Sequence, residues 1–148
     1  MKIKPFISPY KYKVSYLIRR CLTEINAKDY TASQISFLCK EFTPSRVVER
    51  FASQSNFVAI QGDRILGCVT LKNDIIGSLF VNPLYNNQGV GSYLLSYIEE
   101  LAMSRGIIKL WVNSSKTAVI FYKNKGYVVK EKRRHANAGI TYIMYKKI

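Results

Sequence analysis

Apolar side chains at Val14, Leu17, Ile18, Cys21, Leu22 and Ile25 recur at spacings of three and four, which gathers them on one face of an α-helix. Thr31 and Gln34 stand at capping-box spacing before a second amphipathic stretch that carries Ile35, Leu38, Cys39 and Phe42. Thr43-Pro44 opens a third helix, with Thr as N-cap, Pro at the first helical position, and Val47, Val48 and Phe51 behind. The pattern then shifts to short apolar runs. Residues 57–60 and 65–71 flank Gln61-Gly62-Asp63-Arg64, a hairpin turn, and Asn73-Asp74 turns the chain again into an apolar strand over 75–81. Residues 3–6 offer a further short strand. From Gly91 a helix carries Leu94, Leu95, Ile98, Leu101 and Ala102 to Arg105, and Gly106 ends it. The strand predicted over 107–112 follows a helical crossover and so lies parallel to 75–81. Ser114-Ser115 caps a short helix to Asn124, Gly126 stops it, and 127–131 with 140–146 form a closing hairpin. The pattern predicts an α+β fold: a mixed, mostly antiparallel sheet of six to seven strands with helices on both faces.

Composition narrows the class. A chain of 148 residues with 48% hydrophobic content is long enough for one domain, 1–148, with a full core. No apolar run reaches the ~18 residues of a membrane span, and the first residues lack the apolar stretch of a signal peptide. A cytoplasmic protein without membrane contact is expected. Cys21, Cys39 and Cys68 are far apart and His135 is the single histidine, so no metal site is expected and the cysteines read as small core residues. The net charge is +14, with six basic residues and no acid in 1–20, and six against one acid in 123–134. Such a field attracts polyanions, nucleic acid among them, and equally describes a solvated basic surface. Charge leaves both readings open.

Chemistry enters at Leu79-Phe80-Val81-Asn82-Pro83-Leu84-Tyr85-Asn86-Asn87-Gln88-Gly89-Val90-Gly91-Ser92. A strand runs through a turn into a Gly-x-Gly that opens a helix. That shape turns successive backbone N–H groups and the positive end of the helix dipole toward one point, an anion site suited to phosphate or pyrophosphate. A Walker loop would need Gly-Lys-Ser/Thr, and Ser92-Tyr93 follow Gly91. A dinucleotide fingerprint would need a third glycine where Leu94 stands, and an acid in the strand over 107–112.

Downstream come Trp111-Val112-Asn113-Ser114-Ser115 and Ala118-Val119-Ile120-Phe121-Tyr122-Lys123-Asn124-Lys125-Gly126-Tyr127. With the glycine loop, these segments resemble the GNAT superfamily of acetyl-CoA-dependent N-acetyltransferases. The resemblance spans 57–127 and extends more loosely to 30–34 and 140–145. The superfamily's loop reads Arg/Gln-x-x-Gly-x-Gly/Ala; Gly89 and Gly91 match it, and Asn86 stands where Arg or Gln is usual. The resemblance implies acetyl-CoA as co-substrate, its pyrophosphate on the loop of Asn86, Asn87, Gln88, Gly89, Val90, Gly91 and Ser92. It implies that the pantetheine arm lies along Leu79, Phe80 and Val81, with Asn113 beside it and Phe121 packed against the cofactor. An amide of Phe80 or Val81 would polarise the thioester carbonyl, and Tyr122 would protonate the departing thiolate. Read without the family, Phe121 is a core aromatic, Asn113 a helix cap and Tyr122 one of eleven tyrosines.

The base is open. Many family members place a glutamate where Ser78 stands, and a serine holds a water but does not take a proton at neutral pH. Asp74 reads either as a base acting through water or as a turn residue, Glu41 is more remote, and an amine that arrives already deprotonated needs no base on the protein. The expected activity is direct acetyl transfer from acetyl-CoA to a primary amine on a small molecule, a peptide or an aminoacyl-tRNA. The alternative is a GNAT-like CoA- or nucleic-acid-binding module whose catalysis is weak. A monomer and a homodimer are both compatible with the sequence.

Overall fold

The computed structural model describes residues 1–148. Strand β1 (Lys2–Pro5) leads to helix α1 (Lys11–Glu24), then α2 (Ala32–Lys40) and α3 (Pro44–Phe51). Three antiparallel strands follow, β2 (Ser55–Gln61), β3 (Arg64–Lys72) and β4 (Ile75–Val81). Helix α4 (Val90–Ser104) crosses to β5 (Lys109–Ser115), and α5 (Val119–Asn124) precedes the hairpin of β6 (Val128–His135) and β7 (Gly139–Lys147). All seven strands join one sheet in the order β1-β2-β3-β4-β5-β7-β6.

Two apolar layers clasp this sheet. On one side Val14, Leu17, Ile18 and Leu22 of α1 meet Val47 and Phe51 of α3 over Val58, Ile65 and Cys68. On the other, Leu94, Leu95, Ile98 and Ala102 of α4 pack with Tyr122 and Tyr127 over Leu66, Val69, Ile76, Leu110, Val112 and Met144. Strand β3 lies between both layers and is buried from Ile65 to Leu71, which is why its sequence is a continuous apolar run instead of an alternation. The capping box of α2 forms as its spacing requires: Gln34 N donates to Thr31 Oγ1 at 3.2 Å and Thr31 N to Gln34 Oε1 at 2.9 Å.

The feature that matters for function is the junction of β4 with β5. They are parallel, as the crossover dictates, but only Ile75–Trp111 and Ile76–Val112 are paired. Beyond Ile76, β4 leaves β5: the β3–β4 register slips between Cys68 and Thr70, and Ser78 takes a φ of +46°, the mark of a bulge. β5 meanwhile stays on β7 from Lys109–Lys147 to Ser115–Thr141. The two strands therefore diverge into a fork.

Several boundaries differ from those predicted. β5 begins two residues late and runs three further than 107–112, because its pairing with β7 sets its length. Asn113 and Ser114 are thus strand residues, and Ser115 alone caps, accepting from Ala118 N at 3.2 Å. α4 starts at Val90. β6 extends to His135 through a basic stretch with no apolar alternation; as an outer strand it keeps its charges in water, which also discourages edge-to-edge association. Cys68 is buried, but Cys21 and Cys39 are partly exposed at the rim of their helices. No helix is long and apolar enough to cross a membrane.

Candidate active site

The fork opens into a cleft of about 480 Å³ that continues beneath α1 to α3. Ser78, Leu79 and Phe80 form one wall, Val112 to Ser115 the other, and Tyr122 reaches in from α5. Local backbone explains this placement. The left-handed turn at Ser78 shifts the strand off its partner, and the Ser78 carbonyl accepts from the Cys68 Sγ at 3.3 Å, pinning the bulge to β3. Asn113, opposite Ile143 in β5, is exposed to the cleft.

Tyr122 has a buried ring, packed edge-on against Phe121 and Tyr127 at centroid separations of 5.2 and 5.5 Å. Its hydroxyl is without a protein partner yet is not sealed off as that of Tyr127 is. Burial drives the Tyr122 phenol well above its ordinary value, so this cleft-lining residue keeps its phenolic proton across the physiological pH range.

The glycine loop lies beside the fork and outside the cleft lining. Asn87 and Gly89 take φ values of +60° and +82°, turning the chain sharply into α4. The first helical bond runs from Tyr93 N to Gly89 O at 2.9 Å, so the amides of Val90, Gly91 and Ser92 have no helical acceptor and are free for a ligand. Asn86, Asn87, Gln88 and Gly89 are exposed and Ser92 half-buried. A Cβ on Gly91 would stand 3.4 Å from the Phe121 ring and 3.6 Å from Val81 Cγ2. That contact joins loop, fork strand and α5 at one point.

Of the three candidate bases, the cleft lining takes in one. Asp74 lies outside the cleft, in its turn, where its carbonyl accepts from Trp111 N at 2.9 Å. Glu41 is bound by Arg50 at 2.8 Å and Arg46 at 3.0 Å, whose hydrogen bonds hold its carboxyl below the ordinary range. Ser78 does line the cleft. The structure also brings in residues that carried no motif. Tyr30 donates to Ile140 O at 3.0 Å and accepts from Lys116 N at 2.8 Å, and His135 Nε2 lies 2.7 Å from Thr141 Oγ1. Arg50, Gln54 and Lys72 line the end nearest α3. The lone histidine was visible in the sequence, but nothing local placed it here.

The chain belongs to the GNAT acetyltransferase family: residues 26–148 match the Acetyltransferase (GNAT) domain. It is an acyltransferase of that family, an N-acetyltransferase that uses acetyl-CoA. The uncharacterized N-acetyltransferase YafP of Escherichia coli strain K12 is 30% identical over 115 residues, 77% of this chain and 73% of that protein. The uncharacterized N-acetyltransferase MJ1207 of Methanocaldococcus jannaschii is 39% identical over 59 residues, 38% of this chain and only 26% of that protein. Among solved structures, a GCN5-related N-acetyltransferase from Rhodopseudomonas palustris, described as "Aminotransferase, Class-II", superposes with a TM-score of 0.93 at 24% identity, covering 99% of this chain and 95% of that one. The PaiA N-acetyltransferase of Thermoplasma acidophilum, solved with coenzyme A, gives 0.82 at 16% identity over the whole of both chains. At such identities the two structures establish the shared fold.

Proposed function

We propose that residues 1–148 act as one domain that transfers the acetyl group of acetyl-CoA directly to a primary amine while both substrates are bound. The observation that carries this reading is the fork, with Tyr122 lining it and the unbonded first amides of α4 beside it. The amides of Gln88 to Ser92 suit the pyrophosphate, with Asn86 and Asn87 at the rim. The unpaired edge of β4 at Leu79, Phe80 and Val81, with Asn113 across from it, suits the pantetheine amides. The coenzyme A bound to the PaiA relative supports this assignment.

In the reaction the amine nitrogen forms a C–N bond to the thioester carbon, and the carbonyl oxygen gains the charge that an amide of Phe80 or Val81 stabilises. Collapse breaks the C–S bond, Tyr122 gives its proton to the thiolate, and the tyrosinate so formed is reprotonated from water. The amine's proton leaves to water, which the Ser78 hydroxyl holds in place. Holding both reactants together supplies the proximity that removes any need for a covalent enzyme intermediate. The three free cysteines suit a reducing compartment, and on that ground we assign the protein to the cytoplasm.

The test is Tyr122→Phe. Because burial alone, with no hydrogen bond, sets the Tyr122 phenol, the variant should melt like the parent and keep its KM for acetyl-CoA, while kcat falls about 100-fold. Unchanged turnover over a panel of amines would remove Tyr122 from the acid role.

A further inference from the structure

We propose that the acceptor is a small amine carrying its own oxyanion, a carboxylate or phosphate, which Arg50 and Lys72 hold at the α3 end of the cleft. The proposal rests on the acetyl-transfer reading and supplies the substrate class that reading leaves open.

The chain has nine acidic residues, and none lines the cleft. The permanent charges that do are the cations Arg50 and Lys72. An ammonium group entering such a space loses hydration and meets no counter-charge. Polyamines and other polycations are therefore poor acceptors. The same field has a productive side: cations beside an amine favour its uncharged form, and the uncharged form is the nucleophile. A cleft without a carboxylate base is then coherent, provided something else on the acceptor is attracted to it.

Arg50 is built for that attraction. Its Nε donates to Glu41 O at 2.9 Å, its Nη2 to Glu41 Oε2 at 2.8 Å, and the guanidinium lies 4.7 Å over the Phe42 ring. Two of its five N–H donors are thus used to fix the group, and three remain. A fixed guanidinium with spare donors is the side chain best matched to carboxylate and phosphate. Glu41 does not cancel this charge fully, because it is shared with Arg46. Lys72 takes part in none of the molecule's salt bridges.

A further polar group lies behind the same end, outside the cleft lining. The Thr70 hydroxyl is fully buried and has no hydrogen-bond partner. It lies 2.8 Å from the point where Gly77 lacks a Cβ, and Gln54 Oε1 is 3.8 Å from that point. Gly77 and Gln54 both line the cleft. The cleft, about 480 Å³ in all and shared with the pantetheine arm, leaves room for a small acceptor.

The experiment uses the full chain with saturating acetyl-CoA and matched pairs of amines: amino acids against their decarboxylated counterparts, and O-phosphoethanolamine against ethanolamine, with spermidine as the polycation. The oxyanion-bearing member of the carboxylate or the phosphate pairs should show about tenfold or greater advantage in kcat/KM, the worth of one charge-assisted contact. That advantage should vanish in Arg50→Gln and shrink in Lys72→Gln, while acetyl-CoA still raises the melting temperature of both. Lys72 is exposed and outside every ion pair, so its variant keeps the test alive if loss of the Glu41 bonds unfolds Arg50→Gln. Equal or better turnover of bare amines or spermidine would overturn the proposal. If no amine reacts, the same pairs are compared by the melting shift they add to the CoA-bound protein, and absence of any oxyanion preference there overturns it too. A chain that neither reacts nor responds to acetyl-CoA refutes the acetyl-transfer reading instead, and this proposal falls with it.

Discussion

Gly89 and Gly91 stand two residues apart and do different work. Gly89 holds φ +82° with open space around it, so Gly89→Ala meets no clash and pays only the left-handed backbone, roughly 1 kcal/mol. Gly91 has ordinary φ but faces the Phe121 ring at 3.4 Å. Gly91→Val should therefore weaken acetyl-CoA binding more than it lowers the melting temperature, and Gly89→Ala should do the reverse; thermal melts with and without CoA check the pair. The cysteines give a second prediction at this scale. Burial raises the Cys21 thiol to about 11 and Cys68 to about 12, and lifts Cys39 as well. All three remain protonated and unreactive near neutrality. Acetyl transfer should survive brief iodoacetamide treatment at about pH 7.5; rapid inactivation would point to a thiol on the reaction path.

Among the elements, the approach of β3 to β4 and α4 is the tightest. A Cβ on Gly67 would stand 2.7 Å from the Phe80 carbonyl, 3.0 Å from Leu94 and 3.2 Å from Val90. Gly67→Ala must push apart the strand and helix that define the fork, at a cost of about 2–3 kcal/mol, and a chemical denaturation curve should show it exceeding Gly89→Ala. This element-level order was largely legible in the sequence. The helical face from Val14 to Ile25, the turn at Gly62 and the glycine loop are local patterns, read from neighbours along the chain. The length of β5 was not, because β7 fixes it from about thirty residues away. The acceptor end of the cleft was not legible either. Arg50 and Gln54, four residues apart, meet Lys72 and Tyr30 from distant parts of the chain. Glu41 likewise looked available as a base until Arg46 and Arg50, one turn and more ahead on another helix, were seen to hold it.

At the scale of the whole molecule, Glu41 ties stability to acidity. Its folded carboxyl is held below the ordinary value of 4.5, first by Arg50 and then by Arg46. A depressed carboxyl stabilises the fold above its unfolded value and loses that contribution as pH falls through the folded one. Denaturation midpoints should therefore be level near neutrality and decline below about pH 4.5, and Glu41→Gln should start less stable yet decline less steeply. A parent curve as shallow as that of the variant would contradict the linkage.

The two residue pairs that join β4 to β5 carry one more consequence. They leave the sheet as two plates meeting along a short hinge, one of β1 to β4 and one of β5 to β7. The strand pairing across so narrow a hinge should open before the plates, which α4 still spans, unfold. Amide protons around Leu79 and Val81 should then exchange with deuterium well ahead of those in β3, and a molecule lodged between the plates should act as a latch that slows them.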